Sequence, residues 1–294
     1  MSTATVAVKR KKKKRESMNM QIFKRLLKNK PAMLGAVVLI LVIILAALAP
    51  VIAPYDPLYM DYSAFCATPN AKHLLGCDDL GRDILSRLLY GAKTSLFLGF
   101  ACALIGMFLG MVFGSVVGYI GGRVENVTMR ICDIWMAIPG TLLAILISTV
   151  LGGGLWQTIL ALSIGGIPGS IRSFRAMALK EREMEYLEAA AAMNCPKWKI
   201  IFKHMVPNII SPCIVGTTGQ IGSSIMQAAA LSFIGLGIQP PASEWGAMLS
   251  SGRNYILTYP HMLIFPGVAI AIVVLAVNLL GDGLRDAMDP KLKD

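Results

Sequence analysis

Five long stretches without Asp, Glu, Lys or Arg constrain what this chain of 294 residues can fold into. They contain 25, 29, 38, 39 and 28 residues, at positions 31–55, 94–122, 134–171, 205–243 and 254–281. A helix needs about 20 apolar residues to cross the hydrocarbon core of a bilayer. Only 15% of all residues are charged, whereas a soluble domain carries about 25%. The chain is therefore predicted to be an all-α polytopic membrane protein.

Turn signals divide these stretches into six predicted transmembrane helices. Gly152-Gly153-Gly154 separates two spans within the stretch of 38 residues. The stretch of 39 residues begins with Val206-Pro207-Asn208 and ends with Gln239-Pro240-Pro241, which are typical of loops, so it is predicted to hold one span. The predicted spans lie at 33–53, 95–120, 131–151, 155–171, 213–236 and 263–281.

The distribution of basic residues predicts that both termini are cytoplasmic. With the N-terminus inside, 23 of the 28 lysines and arginines lie on the cytoplasmic side, as the positive-inside rule requires. The apolar run 32–50 is longer than the signal-peptide core of about 7–15 residues, so we expect it to be retained as the first span. The predicted location is the cell membrane.

A basic run at Lys9–Arg15 accounts for most of the net charge of +11. Such a tail is attracted to anionic membrane lipid. A nucleic-acid-binding arm is the alternative, but the 264 residues that follow the first 30 are almost neutral and offer such a partner no further basic surface. We therefore expect membrane lipid, and no nucleic acid, as the partner of this tail.

Signals for catalysis are missing from the sequence. Gly91-Ala92-Lys93-Thr94 lacks the glycine that a phosphate-binding loop places directly before its lysine. The three histidines are far apart and do not have metal-ligand spacing. Apart from Asp133, near the start of the third predicted span, the predicted spans contain no Asp, Glu, Lys or Arg, which disfavours a proton-coupled carrier or a voltage sensor. The chain is predicted to be non-catalytic, without a cofactor or metal of its own, and to take energy from a partner.

Two smaller patterns concern packing and the external loop. Four glycines recur at i, i+4 spacing: Gly106, Gly110, Gly114 and Gly118. Such glycines let another helix approach closely. The alternative is that their smooth helix face slides against a neighbour during gating. Cys66 and Cys77 both fall in the predicted external loop, where oxidation is possible. Spacing alone does not decide whether they form a disulfide.

The predicted cytoplasmic loop 172–212 reads as two short helices. Met177 to Met193 is rich in helix formers and contains neither Gly nor Pro. Asn194 can adopt the left-handed conformation that ends a helix. Pro196 suits the first turn of a second, amphipathic helix, which is predicted to end at Pro207.

This loop resembles the EAA motif of ABC importer permeases. Glu188-Ala189-Ala190 is followed by a turn residue and then by Pro207, with Asn194 where the family usually has Gly. In that family the segment docks in a groove on a cytoplasmic ATPase. The resemblance therefore implies that the segment 188–207 couples this chain to an ATPase, through Glu188, Ala189, Ala190, Asn194, Pro196, Trp198 and Pro207.

Three further stretches resemble the dipeptide/oligopeptide/nickel branch of that family, and the similarity runs from about residue 20 to 292. They are 76–95, which contains Asp78, Asp79, Gly81, Arg82 and Asp83, then 231–246, and then 281–290. The resemblance implies a type I ABC importer permease fold and the C-type permease of a heterodimeric pair. The implied organisation is a basic tail (1–31), a first span (32–54), an external segment (55–92), a five-helix permease domain (93–282) and a C-terminal tail (283–294).

The resemblance also implies partners and cargo. The partners are a second homologous permease, two ABC ATPase subunits that hold ATP and Mg, and an extracytoplasmic substrate-binding protein. Short peptides are the expected cargo, with nickel, a nickel chelate, glutathione or a peptide antibiotic as alternatives within the family. An unassisted channel or membrane scaffold would leave the loop 172–212 without a role. Asp78, Arg82 and Asp83 either steer contacts with the binding protein or satisfy one another.

Overall fold

The computed structural model describes residues 18–288, and within them every regular element is a helix apart from an isolated β-bridge between Cys77 and Asp83. The basic run Lys9–Arg15 and the pair Asp289-Pro290 lie outside the described residues. The α-helices are α1 (Met18–Lys28), α2 (Lys30–Ala47), α3 (Ala49–Ile52), α4 (Ile84–Leu109), α5 (Ser115–Ile120), α6 (Gly122–Met136), α7 (Gly140–Leu151), α8 (Leu155–Arg182), α9 (Glu185–Ala192), α10 (Lys197–Lys199), α11 (Val206–Phe233), α12 (Trp245–Gly252) and α13 (His261–Met288).

Short helical stretches of other pitch complete the chain. A π-helical stretch at Gly110–Gly114 joins α4 to α5, and another at Ile200–Met205 joins α10 to α11. Single 3₁₀ turns lie at Tyr62–Ala64 and Arg253–Tyr255. The first π-helical stretch therefore lets α4 and α5 continue as one rod, Ile84–Ile120, and the second extends α11 backwards to Lys197.

By length and composition, the described residues contain four helices that can cross a membrane. These are Lys30–Ala47, Ile84–Ile120, Lys197–Phe233 and His261–Met288. The bent pair α6 and α7 makes a fifth if it is counted as one span. The predicted span 155–171 forms the first part of α8, but this helix continues as far as Arg182 and becomes charged from Arg172 onwards.

The predicted straight span 131–151 is wrong. It is broken after Met136, and α7 leaves the axis of α6 at 77°. Pro139 is the physical reason, because a proline disfavours helical backbone at the residue before it. Pro139 itself has extended backbone and directly precedes Gly140, the first residue of α7.

The predicted helix ends around the cytoplasmic loop also need correction. The predicted helix 177–193 is divided at Glu183 and Met184, between α8 and α9. Pro207 does not end a helix but lies in the first turn of α11, where a missing N–H is tolerated. The predicted span 213–236 therefore begins earlier, at Val206, and Pro212 lies inside it.

Close backbone approaches hold the helices together. Gly35 of α2 faces α13, where an added Cβ would lie 2.5 Å from the Ala276 carbonyl oxygen. At Gly99 of α4, an added Cβ would lie 2.5 Å from the Ile225 side chain of α11. Trp245 of α12 is fully buried among α4, α11 and α13, and its indole N–H donates to the Leu88 carbonyl at 3.0 Å. The result is a helical core in which α4, α11 and α13 are central.

Candidate functional site

The segment from α9 to α10 packs one face onto the helical core and leaves the other free. Leu187 and Ala190 of α9 are buried against Ile200, Met205 and, from α8, Ala178. Glu188 and Ala189, on the other face, are exposed. The alternation follows from helix geometry, because residues three apart share a face and their immediate neighbours do not. Glu188 is therefore exposed on the outer face of α9, while Leu187 and Ala190 anchor the helix.

The turn after α9 has the geometry that the sequence predicts for Asn194. Its φ is +57°, in the left-handed region. The Cys195 amide donates to the Ala190 carbonyl at 3.1 Å, and the Asn194 amide donates to the Ala191 carbonyl at 3.0 Å. This pair of bonds is the Schellman motif that closes a helix C-terminus. Pro196 lies directly before α10 with extended backbone.

Large apolar side chains project from this turn into open space. Met193 is 79% exposed and Trp198 is 67% exposed. Met184 and Phe202 are also exposed. Because exposed apolar side chains grouped on one surface mark an interaction site, the segment has the character of a docking surface, with Glu188 supplying a negative charge.

A hydrogen-bonded bridge that sequence reasoning missed fixes this segment to two long helices. The Tyr186 hydroxyl donates to Glu181 Oε1 at 2.7 Å, and Asn208 Nδ2 donates to the same hydroxyl at 2.8 Å. Asn208 Nδ2 also donates to the His204 carbonyl at 2.8 Å. Partial burial and the bond to Glu181 raise the pKa of Tyr186 to about 12, so the hydroxyl stays protonated. The residues are up to 27 positions apart, which is why no local pattern reveals them.

A groove opens between α8 and α11, with residues of α4 and α6 completing its lining. Its volume is about 400 Å³, and Gly166, Gly169, Gly216 and Gln220 line it. An adjoining cavity of about 170 Å³ shares Gly166 and Gln220 and adds Gln227. Among the described residues, no Asp, Glu, Lys or Arg lines either space. The groove is therefore uncharged, with a mainly apolar lining that includes a few polar side chains such as Gln220.

The glycines of α11, which recur at every third residue from Gly216 to Gly222, differ in what they face. Gly216 and Gly219 face open space, where an added Cβ would meet nothing within 4 Å. Gly222 alone of the three approaches α13, where the Asn278 side-chain oxygen lies 3.2 Å from its Cβ position. Asn278 thus lies between helices, whereas Gln220 lies in the groove.

The four glycines from Gly106 to Gly118 lie against α8. At Gly106 and Gly110, an added Cβ would lie 3.2 Å from Ser170 Oγ and 2.8 Å from Ser170 Cβ, respectively. At Gly114 it would lie 2.6 Å from the Ile171 carbonyl oxygen, and at Gly118 it would lie 2.7 Å from Ala178 Cβ. Real Cβ atoms essentially never approach within 3.0 Å, so the last three positions leave no room for a side chain. This close contact fixes the position of α8, which forms one wall of the groove.

In the external segment, Asp78 accepts hydrogen bonds from two arginines. Arg82 Nε donates to Asp78 Oδ2 at 2.8 Å, and Arg87 Nη1 donates to the same oxygen. Asp79 lies 3.9 Å from Arg82, and burial raises its pKa above the ordinary value. Gly81 has a φ of +69°, and a Cβ there would collide with the Asp61 carbonyl. The sequence does not reveal that Arg87 belongs to this cluster.

Asp83 has a structural role at the start of α4. Its Oδ2 accepts from the Ser86 amide and hydroxyl, each at 2.8 Å, and its Oδ1 lies 3.0 Å from His73 Nδ1. Asp78, Arg82 and Asp83 are all buried. Asp78 and Arg82 thus pair with each other, as one of the two interpretations expects, whereas Asp83 caps α4 and contacts His73.

Another buried carboxylate, Glu244, caps α12. Its two oxygens accept from the Gly246 and Ala247 amides, each at 2.8 Å, and Ser95 Oγ donates to it at 3.2 Å. Burial raises the pKa of Glu244. Glutamate is not among the side chains that usually cap a helix N-terminus, so the sequence does not reveal this cap.

Cys66 and Cys77 are free and buried in the part of the chain that the structure describes. The spacing of the two cysteines did not decide whether they form a disulfide, and in this structure they do not. Burial raises the pKa of Cys77 to about 12 and also raises that of Cys66. Both residues act as small apolar groups within the external segment.

Comparison with known families decides the class. Residues 95–294 match the model described as binding-protein-dependent transport system inner membrane component, and residues 17–71 match the N-terminal transmembrane domain of oligopeptide transport permease C. The chain belongs to the binding-protein-dependent transport permeases. This confirms the resemblance to the dipeptide/oligopeptide/nickel branch of ABC importer permeases.

Curated relatives of this permease cover nearly its whole length. It is 43% identical over 274 residues to the glutathione transport system permease protein GsiD of Pectobacterium atrosepticum, which covers 93% of this chain and 91% of the relative. It is 41% identical over 273 residues to the di/tripeptide transport system permease protein DppC of Pseudomonas aeruginosa, which covers 90% of each chain. Such proteins are transport subunits of ABC importers rather than enzymes.

A solved structure shows the same fold. The permease resembles a chain from the inward-facing MetNI methionine ABC transporter, with a TM-score of 0.55 and 20% identity over 69% of this chain and 97% of that chain. The type I permease fold expected from the sequence is therefore confirmed. Together with its apolar helices, the fold makes this permease a multi-pass membrane protein.

Proposed function

We propose that this permease forms the passage of an ATP-driven importer for short peptides in the cell membrane. The observation that carries the proposal is the exposed surface formed by Glu188, Met193 and Trp198, which is anchored beside an uncharged groove. Its relatives are named as glutathione and di/tripeptide transport permeases, and both kinds of cargo are small molecules with peptide bonds. Glutathione is therefore the second candidate cargo.

The proposed assembly contains partners that this chain does not supply. A second homologous permease forms a heterodimer with it, and an extracytoplasmic binding protein delivers cargo. Two ATPase subunits bind ATP and Mg, and this chain holds no cofactor. Both termini face the cytoplasm, and α8 provides the sixth crossing. This arrangement is supported by the cluster of basic residues in the N-terminal tail and around α8 to α10.

The proposed mechanism transmits movement through packed contacts. ATP binding closes the ATPase pair and displaces the docking surface. Leu187 and Met205 transmit that displacement to α8 and α11 because they are buried together with Ala178. Since α8 and α11 also form the walls of the groove, their tilt changes the side on which it opens. ATP bound to the partner supplies the differential free energy that such a switch requires.

The proposed cargo contacts are Gln220 in the groove and Gln227 in the adjoining cavity. Their amides can donate to and accept from peptide bonds without selecting for charge. Open space beside Gly169 and Gly216 leaves room for cargo side chains. An importer whose binding protein selects the cargo needs a passage of this permissive kind.

Exchanging Glu188 for Lys tests the docking assignment. Glu188→Lys is expected to abolish ATP-dependent dipeptide uptake and co-purification of the ATPases, while membrane insertion, which depends on the spans, is unchanged. Asp56→Lys makes the same charge change at an exposed external position and is expected to transport normally. Normal uptake by Glu188→Lys would contradict the proposal. Competition between labelled dipeptide and glutathione identifies the cargo.

A further inference from the structure

A second concave surface lies between α2 and α4, apart from the groove. This cleft has a volume of about 540 Å³. Its walls are apolar, formed by Ile43 and Ala46 of α2 and by Leu96 and Phe100 of α4. Because Ala46 and the adjacent Ala47 carry only a methyl group, the two helices leave a depression at this level.

One end of the cleft is polar. Tyr90 and Lys93 line it, and Pro50 of α3 lies opposite. Lys93 is the last charged residue before the charge-free stretch 94–122, and Pro50 lies near the end of the charge-free stretch 31–55. The polar end is therefore at the height where hydrocarbon gives way to lipid headgroups.

The cation at this end lacks a protein partner. Lys93 is exposed, and no residue between 18 and 288 forms an ion pair or a side-chain hydrogen bond with its ammonium group. The Tyr90 hydroxyl likewise makes no hydrogen bond with this part of the chain. A basic side chain beside an apolar cleft at a membrane boundary matches an anionic headgroup above an acyl chain.

We propose that this cleft binds one anionic phospholipid. Its phosphate lies against the Lys93 ammonium and the Tyr90 hydroxyl, and an acyl chain follows the apolar wall between α2 and α4. A zwitterionic lipid gains less binding free energy from Lys93, because the lipid's own cationic group competes for the phosphate. The lipid would fasten α2, which belongs to the segment matched by the separate N-terminal family model, to the first long helix of the transport core. This inference does not depend on the cargo.

Native mass spectrometry of the full chain, purified in mild detergent and delipidated, tests the site. With equimolar phosphatidylglycerol and phosphatidylcholine, we expect one phosphatidylglycerol to be retained preferentially. Lys93→Gln is expected to reduce that preference about fivefold, the effect of one basic side chain near an anionic headgroup. Lys72→Gln, which removes an exposed lysine elsewhere in the external segment, is expected to retain it.

Two further arms keep the result decisive. Ala47→Phe fills the cleft without changing charge and is expected to reduce retention of both lipids, which gives a test even if Lys93→Gln folds poorly. Inorganic phosphate at millimolar concentration is not expected to displace the lipid, because the apolar wall contributes to binding. Equal retention of the two lipids by the unmodified chain, unchanged preference in Lys93→Gln, or displacement by phosphate would each overturn the proposal.

Discussion

Arg82 Nε lies 2.8 Å from Asp78 Oδ2 in the external segment, and both side chains are almost completely buried. Arg87 donates to the same carboxylate oxygen from the first turn of α4. One carboxylate thus accepts hydrogen bonds from two guanidinium groups, one from a loop and one from a long helix, and Asp79, 3.9 Å from Arg82, supplies the second negative charge. The arrangement ties the external segment to the transport core, and its loss leaves charge buried without compensation.

Asp78→Asn is expected to lower the free energy of unfolding by about 3–5 kcal/mol, the usual result of removing one member of a buried ion pair. Asp61→Asn serves as the control, since Asp61 pairs at 3.4 Å with the exposed Lys72 and such a surface pair contributes at most about 1 kcal/mol. Thermal unfolding of the two variants in detergent measures the difference. Equal midpoints would show that the buried cluster is not a stabilising link.

Adding one methyl group at two glycines is expected to have opposite effects. Gly114→Ala places Cβ 2.6 Å from the Ile171 carbonyl oxygen, and overpacking of this kind costs about 1–3 kcal/mol. Gly169→Ala points into open space in the groove and gains up to about 1 kcal/mol, because alanine loses less backbone entropy in a helix. Unfolding of the two variants in mixed micelles measures the difference between their stabilities. Destabilisation by both variants would argue against the open groove.

Cys66 and Cys77 are expected to resist a membrane-impermeant maleimide in the folded protein. The thiolate is the reactive form, and a pKa of about 12 for Cys77 leaves almost none at neutral pH. The pKa of Cys66 is raised in the same direction by burial. Unfolding in SDS without a reductant should make both react. If reaction required a reductant as well, the two cysteines would be joined by a disulfide.

Asn194 variants test the turn beneath the docking surface. Asn194→Gly is expected to be tolerated, because glycine adopts a φ of +57° without strain. Asn194→Val is expected to cost about 1–2 kcal/mol for the left-handed backbone and to reduce uptake by displacing Met193 and Trp198. Peptide uptake and ATPase co-purification report the effect. Full activity of the valine variant would separate this turn from coupling.

Tyr186→Phe tests the bridge between α8, α9 and α11. The change removes one donor and one acceptor, at a cost of about 1–2 kcal/mol. ATP hydrolysis in reconstituted vesicles is expected to persist while peptide transported per ATP falls, since the docking surface remains but its attachment to Glu181 and Asn208 is lost. Tyr59→Phe, which removes an exposed hydroxyl outside this bridge, is the matched control. An unchanged transport ratio would show that the bridge is not needed for coupling.

The sequence alone determined the class of fold and several local conformations. Its charge-free stretches indicated membrane helices because the hydrocarbon core excludes unpaired charge. Asn194 was predicted to be left-handed, and its φ of +57° agrees, since few residues accept that backbone at a helix end. The glycines from Gly106 to Gly118 indicated a close helix contact, because their spacing repeats on one face.

Only the tertiary structure decided which faces meet and where helices bend. Gly114 and Gly216 both belong to regularly spaced glycine series, yet one touches α8 and the other faces open space. The partnership of Asp78 with Arg87, and that of Tyr186 with Asn208, joins residues from different elements. The periodicity of a sequence shows which residues share a helix face, but not which neighbouring helix covers that face. The neighbouring helix is set by packing among all the helices at once.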